Sequence, residues 1–158
     1  MVEQFRHAMR YLASGVAVIT SSDAAGKRFG MAATSVTSLS MDPPSLLVCI
    51  NKSSSILATL LESRRFTVNM LAESQRDILE CFGGSRLADK RFSFGDWRDC
   101  EGGAPYLSDA LAWVDCRLDD RWTYGTHLII VGRALMAGPN EDAGRPLVYY
   151  DGAPMTFG

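Results

Sequence analysis

The clearest signal along the chain is strict alternation. Phe66, Val68 and Met70 interleave with Arg65, Thr67 and Asn69, and Val114, Cys116 and Leu118 interleave with Asp115, Arg117 and Asp119. A period of two sends successive side chains to opposite faces, so both stretches read as strands, the first as the clearest half-buried one. Two other runs lack polar partners. Leu46 to Ile50 follows the breaker pair Pro43-Pro44, and Leu128 to Val131 lies inside a longer strand from His127 to Met136. Continuous apolar runs of this length predict strands covered on both faces. Gly15 to Ser21 is dense in β-branched residues, and Asp23 to Gly26 supplies the turn that sends the chain back through Arg28 to Ala33 as a hairpin. Leu147 to Tyr150 reads as a short last strand.

Helical periodicity is confined to short segments. Phe5, Met9 and Leu12 share one face of an amphipathic helix that stops before Gly15. Ser53, Ser54 and Ser55 offer N-cap hydroxyls to Ile56–Leu61, and a further helix runs from about Glu73 to Phe82, ended by Gly83-Gly84. From there to Pro105 the chain is rich in glycine and charge, with Phe92, Phe94 and Trp97 spaced through it. It reads as a long surface excursion of a kind that is often functional. About seven strands joined by hairpins do not match the regular strand-helix rhythm of a parallel sheet. The expectation is a single domain over residues 1–158, mainly β with peripheral helices, built as a closed or split antiparallel barrel, because closure removes exposed edges.

Composition trims the list of functions. With 47% hydrophobic and 22% charged residues the chain matches soluble globular proteins, not disordered, collagenous or disulfide-framework ones. No apolar run approaches the roughly 18 residues of a membrane span. A net charge of −2 provides no basic field, so neither nucleic acid nor a membrane is an expected partner. The first residues mix charge into their apolar positions and lack a signal-peptide core, which makes a cytoplasmic address the expectation. Cys49, Cys81, Cys100 and Cys116 form no Cys-x-x-Cys pair and read as reduced thiols, two of them inside strand patterns where a thiol packs as a small hydrophobe.

Candidate chemistry sits between Lys27 and Leu61, where Asp42 is the only carboxylate and hydroxyls crowd two places. The first cluster is Thr34, Ser35, Thr37, Ser38 and Ser40. On one strand, alternation would place Thr34 and Ser35 on different faces, and such hydroxyls can hydrogen-bond the polar edge of a flat heterocycle; a solvent-facing edge strand is the other reading. In the second cluster Lys52 stands beside Ser53, Ser54 and Ser55 at a helix start, where free amides and the dipole favour a phosphate. Ordinary caps beside a solvated lysine would look the same. His127 follows Tyr124-Gly125-Thr126 at a strand start, either at a pocket mouth or as structural filler. No metal-ligand spacing, nucleophile elbow, Walker loop or Gly-x-Gly-x-x-Gly is present, so hydrolysis by a standard nucleophile is unsupported, whereas a bound organic cofactor needs none of these.

The run GMAATSVTSLSMDPPSLLVCINKSSS, Gly30 to Ser55, resembles the hallmark stretch of the flavin reductase-like family, the reductase components of two-component flavin monooxygenases. The resemblance extends to FRHAMRYLASGVAVIT, RFTVNML, DKRF, PYLSDALAWVDC, YGTHLIIVGRAL and LVYY, and so covers nearly the whole chain. It implies an FMN-binding split barrel, a homodimer with flavin near the subunit interface, and hydride transfer from NADH or NADPH to FMN or FAD for a partner monooxygenase. Carried over by position, Thr34, Ser35, Val36 and Thr37 match the strand beside the flavin ring, with Ser40 further along the same cluster. Cys49, Ile50, Asn51, Lys52, Ser53, Ser54 and Ser55 match the phosphate and ribityl segment, and Phe82 an aromatic near the cofactor. His127 matches the histidine of a Gly-Asp-His motif on the nicotinamide side, with Thr126 in place of the carboxylate. A flavin-retaining oxidase or electron-transfer domain on the same barrel, and a non-catalytic cofactor-binding protein, are the competing readings.

Overall fold

The computed structural model describes residues 1–84 and 86–156. It opens with helix α1 (Val2–Arg10) and a two-residue strand, β1 (Ser14–Gly15), and the expected hairpin follows as β2 (Ala17–Ser22) and β3 (Arg28–Ala33). The Asp23 carboxylate closes its turn by accepting the amides of Ala25 and Lys27, each at 2.9 Å, and Gly26 takes a φ of +80° that glycine adopts without steric cost. A second hairpin, β4 (Val36–Met41) and β5 (Pro44–Asn51), turns at Asp42-Pro43; α2 (Ile56–Ser63), β6 (Arg65–Met70) and α3 (Arg76–Phe82) come next. The surface excursion contains a strand of its own, β7 (Trp97–Asp99), paired with β8 (Pro105–Leu107). Then come the long strands β9 (Ala112–Tyr124) and β10 (His127–Pro139), each 13 residues, and β11 (Val148–Tyr150). β11 is not the last strand: it turns back into β12 (Ala153–Met155). Among the described residues no helix is long and apolar enough to cross a membrane.

The main sheet of the described residues has seven strands in the order β3-β2-β6-β9-β10-β5-β4. Every neighbouring pair in it is antiparallel. Its two edge strands, β3 and β4, are consecutive in the chain, with only Thr34 and Ser35 between them. Three peptide steps reach at most roughly 11 Å, so one end of each edge must lie close to the other and the sheet curls toward itself. Thr34 and Ser35 therefore form a bend between two strands, where alternation along a single strand predicts opposite faces. Ser35 secures the bend: its hydroxyl donates to the Cys49 carbonyl at 2.9 Å, and the Cys49 amide donates to the Ser35 carbonyl at 3.4 Å. Ser35→Ala is expected to lower stability by about 1 kcal/mol. The check is a urea midpoint that falls at constant slope.

Two apolar clusters fill the interior. One gathers Ile19, Val48, Ile50, Phe66, Cys116 and Ile130 beneath Ile56 and Leu60 of α2; the other packs Val18, Leu71, Leu107 and Leu147 against Ile78 and Phe82 of α3. β6 belongs between them and is buried on both faces, unlike the half-buried strand its alternation predicts. The polar face is satisfied internally: the Asn69 carboxamide donates to the Val18 carbonyl at 3.0 Å and the Thr20 hydroxyl at 3.1 Å, and accepts the Leu107 amide at 2.7 Å. Asp115 departs from expectation for the same reason, buried beside Arg65 at 2.6 Å instead of facing solvent.

β5 departs in the opposite sense. Leu46, Val48 and Ile50 are buried, but Leu47, Cys49 and Asn51 are half-exposed, so the all-apolar run covers one face only. Cys116 packs as a small hydrophobe; Cys49 does not. The amphipathic helix α1 forms as predicted but buries none of its residues.

Candidate functional site

Strand register assembles the site. β10 pairs with β5 so that His127 lies opposite Asn51 and Ile129 opposite Cys49. The Lys52 amide donates to the Thr126 carbonyl at 2.9 Å, and Ser35 is bonded to Cys49. Three segments far apart in the chain, Thr34–Thr37, Cys49–Ser55 and Thr126-His127, thus meet at one end of β5.

Asn51 shapes the turn that follows. Its side-chain oxygen accepts both the amide and the hydroxyl of Ser53, at 2.9 and 2.8 Å, and its carbonyl accepts the Ser54 amide at 2.9 Å. Ser54 donates its hydroxyl to the Met31 sulfur at 3.3 Å. The serines do not act as helix caps. Ser55 occupies the N-cap of α2, yet no side chain caps that terminus; the Leu57 amide turns back to the Ser54 carbonyl at 3.1 Å, and the Ile56 and Ala58 amides of the first turn have no capping side chain. Lys52 is exposed and makes no ion pair among the described residues. Asp42, the carboxylate of this stretch, sits in the turn at the opposite end of the β4–β5 hairpin. A free ammonium, a serine hydroxyl and open amides with no carboxylate from the same stretch suit a phosphate.

His127 is exposed at the mouth of β10, and its Nδ1 lies 2.9 Å from the Thr126 hydroxyl. In the tautomer protonated on Nε2, that hydroxyl donates to Nδ1 and Nε2 is itself a donor. Thr126 thus orients the imidazole without adding charge, unlike the carboxylate of the Gly-Asp-His pattern.

Two expected residues lie elsewhere. Ser40 pairs across from Ser45, and its hydroxyl donates to the Asp42 carbonyl at 3.0 Å and accepts the Asp42 amide at 3.1 Å. It stands roughly 16 Å along the strand from Ser35. Phe82 is buried at 3% exposure, with ring centroids 5.0 Å from Phe92 and 5.6 Å from Trp97. Its ring occupies the space a side chain at Gly30 would need, so it packs the wall behind β3 and offers no open aromatic face. Asn51 and Thr126 lie in segments the sequence singles out, but what their side chains do, accepting from Ser53 and meeting His127 Nδ1, is visible only in the contacts.

A flavin reductase-like domain model matches residues 9–158. The protein of Rhizobium meliloti (strain 1021) named "Probable flavin reductase" is 44% identical over 81% of this chain; the matched region spans 40% of that protein, well under half its length. "FMN reductase (NADH) RutF 1" of Methylorubrum extorquens is 44% identical, over 88% of this chain and 70% of its own. Among solved structures, a nitrilotriacetate monooxygenase component B homologue from Mycobacterium thermoresistibile superposes with a TM-score of 0.90 at 34% identity, over 98% of this chain and 85% of that one. The matched domain takes in the β5 segment, the α2 start and His127 alike, and the chain belongs to the flavin reductase-like family.

Proposed function

We propose that residues 1–158 work as one domain, an NAD(P)H:flavin oxidoreductase of the cytoplasm. It moves hydride from NADH or NADPH to FMN or FAD and supplies the reduced flavin to a partner monooxygenase. The observation that carries this reading is the meeting of Ser35, Lys52 and His127 around Cys49–Asn51. The relative named for FMN and NADH favours that pair, and the monooxygenase component favours the partner. A sheet whose edge strands are joined by two residues is compatible with the split-barrel form.

In this reading the Lys52 ammonium and the first amides of α2 hold the flavin phosphate. The polar groups of Thr34–Thr37 would meet the edge of the ring, and His127, protonated on Nε2, would donate a hydrogen bond to a nicotinamide oxygen. The bound flavin supplies a ring that accepts two electrons. The protein would contribute the placement of the two rings, with no acid catalysis of its own. Mixing the protein with NADH and FMN under air is expected to bleach the nicotinamide absorbance. No bleaching with either flavin or either nicotinamide rejects the reading in favour of a flavin-retaining or purely binding protein. His127→Ala is expected to raise the KM for NADH about fivefold, the equivalent of about 1 kcal/mol, with a smaller change in flavin affinity. Equal changes in both would assign His127 to folding.

A homodimer is part of the proposal. Leu39 and Met41 are 50% and 82% exposed on edge strand β4, and Leu135 and Met136 are 47% and 58% exposed on β10. Ser45 pairs with both Ser40 and Arg133, so these four residues share the end of the sheet opposite Lys52. An apolar patch on a sheet edge favours pairing with a second copy. Sedimentation velocity is expected to give a dimer, and Met41→Asp with Leu135→Asp a monomer; a monomeric wild-type protein refutes it.

A further inference from the structure

Helix α1 is amphipathic yet buries nothing. Val2, Phe5, Met9 and Leu12 recur at three- and four-residue intervals along the helix and the turn after it, which places them on one stripe, and each is exposed. The helix is tethered elsewhere. The Tyr11 and Tyr150 rings meet edge-on at 6.2 Å, and the Arg10 carbonyl accepts the Asp151 amide at 2.8 Å. A cleft of about 380 Å³, lined by Arg10 and Tyr149 among others, lies between α1, the Thr34-Ser35 bend and the β11–β12 turn. The helix therefore stands beside the bend instead of lying on the core. An apolar stripe left in solvent on a tethered helix marks an interaction surface.

A second apolar surface is the patch of Leu39, Met41, Leu135 and Met136 at the end of the sheet opposite Lys52. The two surfaces stand at opposite ends of β4. The bend directly precedes Val36, and Met41 closes the strand roughly 17 Å away. Because β4 is an edge of the sheet, a two-fold axis across it sets two copies antiparallel, the Val36 end of one against the Met41 end of the other. The stripe of each copy then faces the patch of the other. Charge agrees with this pairing. Arg6 and Arg10, four positions apart, flank the stripe on one side; Arg6 pairs with Glu3 at 2.7 Å, while the Arg10 guanidinium has neither ion pair nor hydrogen bond among the described residues. Asp42 adjoins Met41, and its carboxylate is equally uncommitted among the described residues, only its backbone being engaged by the Ser40 hydroxyl. A stripe flanked by cations thus meets a patch flanked by an anion.

We propose that α1 of one copy covers the β4–β10 end patch of a second copy, with its stripe against Leu39 and Met41 of the partner subunit and Arg10 toward the partner's Asp42. The inference rests on the homodimer of the reading above and names the surfaces that build it. The experiment mixes two variants, each with one surface disabled: Phe5→Asp spoils the stripe, and Met41→Asp with Leu135→Asp spoils the patch. Each alone is expected to sediment as a monomer with the unfolding midpoint of the wild-type protein. Their equimolar mixture is expected to regain dimer, because unlike chains keep one stripe-to-patch contact intact. Contacts of stripe with stripe, or patch with patch, would leave none intact in the mixture. Arg10→Glu and Asp42→Arg are each expected to weaken the dimer about tenfold, and the chain carrying both to return to within about threefold of wild type. A Phe5→Asp protein as dimeric as wild type, a mixture with no more dimer than either chain alone, or a double charge reversal weaker than both single ones overturns the proposal. A monomeric wild-type protein refutes the homodimer and this contact together, whereas a wild-type dimer indifferent to Phe5→Asp refutes the contact alone. Sedimentation requires no turnover, so these outcomes stand apart from the test of the reductase reading.

Discussion

Arg65→Met is expected to remove about 3–5 kcal/mol of folding stability at neutral pH, because it strands a buried carboxylate. Asp115 is 4% exposed, and its carboxylate accepts from Arg65 Nη2 at 2.6 Å. The guanidinium lies against the backbone of Gly102, where any side chain would overlap it. Even with its partner, the Asp115 carboxyl titrates above its ordinary range, since burial outweighs the pull of Arg65. The surroundings oppose negative charge generally: burial, reinforced by Asp115, pushes the Cys100 thiol up to about 11 and the Cys116 thiol to about 12. A carboxyl whose folded pKa exceeds its unfolded value binds its proton more tightly in the folded state. Its contribution to stability is therefore full below the unfolded pKa and diminishes as pH rises through the folded one. Removing Arg65 raises the folded pKa further, so the loss deepens and extends toward neutrality. Urea unfolding of the variant should show its deficit shrinking on acidification toward about pH 4, the ordinary carboxylate range. A deficit independent of pH would show that Arg65 contributes packing alone. Adding Asp115→Leu should restore most of the lost stability, because an apolar pair of similar volume incurs no desolvation penalty.

Lys52→Ala is expected to weaken FMN binding by about 1–3 kcal/mol, roughly 5- to 150-fold in Kd. The ammonium is exposed and unpaired among the described residues, so its loss leaves no carboxylate stranded and little effect on folding. Riboflavin is the control. It has the ring and the ribityl chain but no phosphate, and its affinity should be the same in variant and wild type. An equal loss for both ligands would place Lys52 against the ring or the fold, and unchanged FMN affinity would return it to solvent. The FMN difference should also narrow with salt, as expected of a charge open to water.

Local patterns in the sequence match the structure wherever neighbours along the chain decide the outcome. The turn at Asp23–Gly26, the helix after Ser55, the strand that begins at His127 and the halt at Gly83 all follow from backbone propensity and side-chain period. Burial at β5 and β6 differs from the pattern because an apolar run or an alternation specifies which face is greasy, not what will cover it. β6 is flanked in the sheet by β2 and β9 and lies close to β8, and this surrounds Thr67 and Asn69; β5 retains a half-exposed face. Phe82 followed the same logic, since nothing in a helix end foretells that Phe92 and Trp97 will close over its ring.

The family and its candidate segments were legible in the sequence by itself, together with the hairpins and the mainly β class, because these depend on residue types within short stretches. Tertiary structure alone decided that Thr34-Ser35 is a bend joining the two edges of one sheet, that Ser40 stands away from Lys52, and that Thr126 orients His127. It also decided that Arg10 meets Tyr149 across a cleft. Those outcomes depend on antiparallel register between strands tens of residues apart, where a shift of one position would exchange every facing side chain, and no local periodicity carries that information.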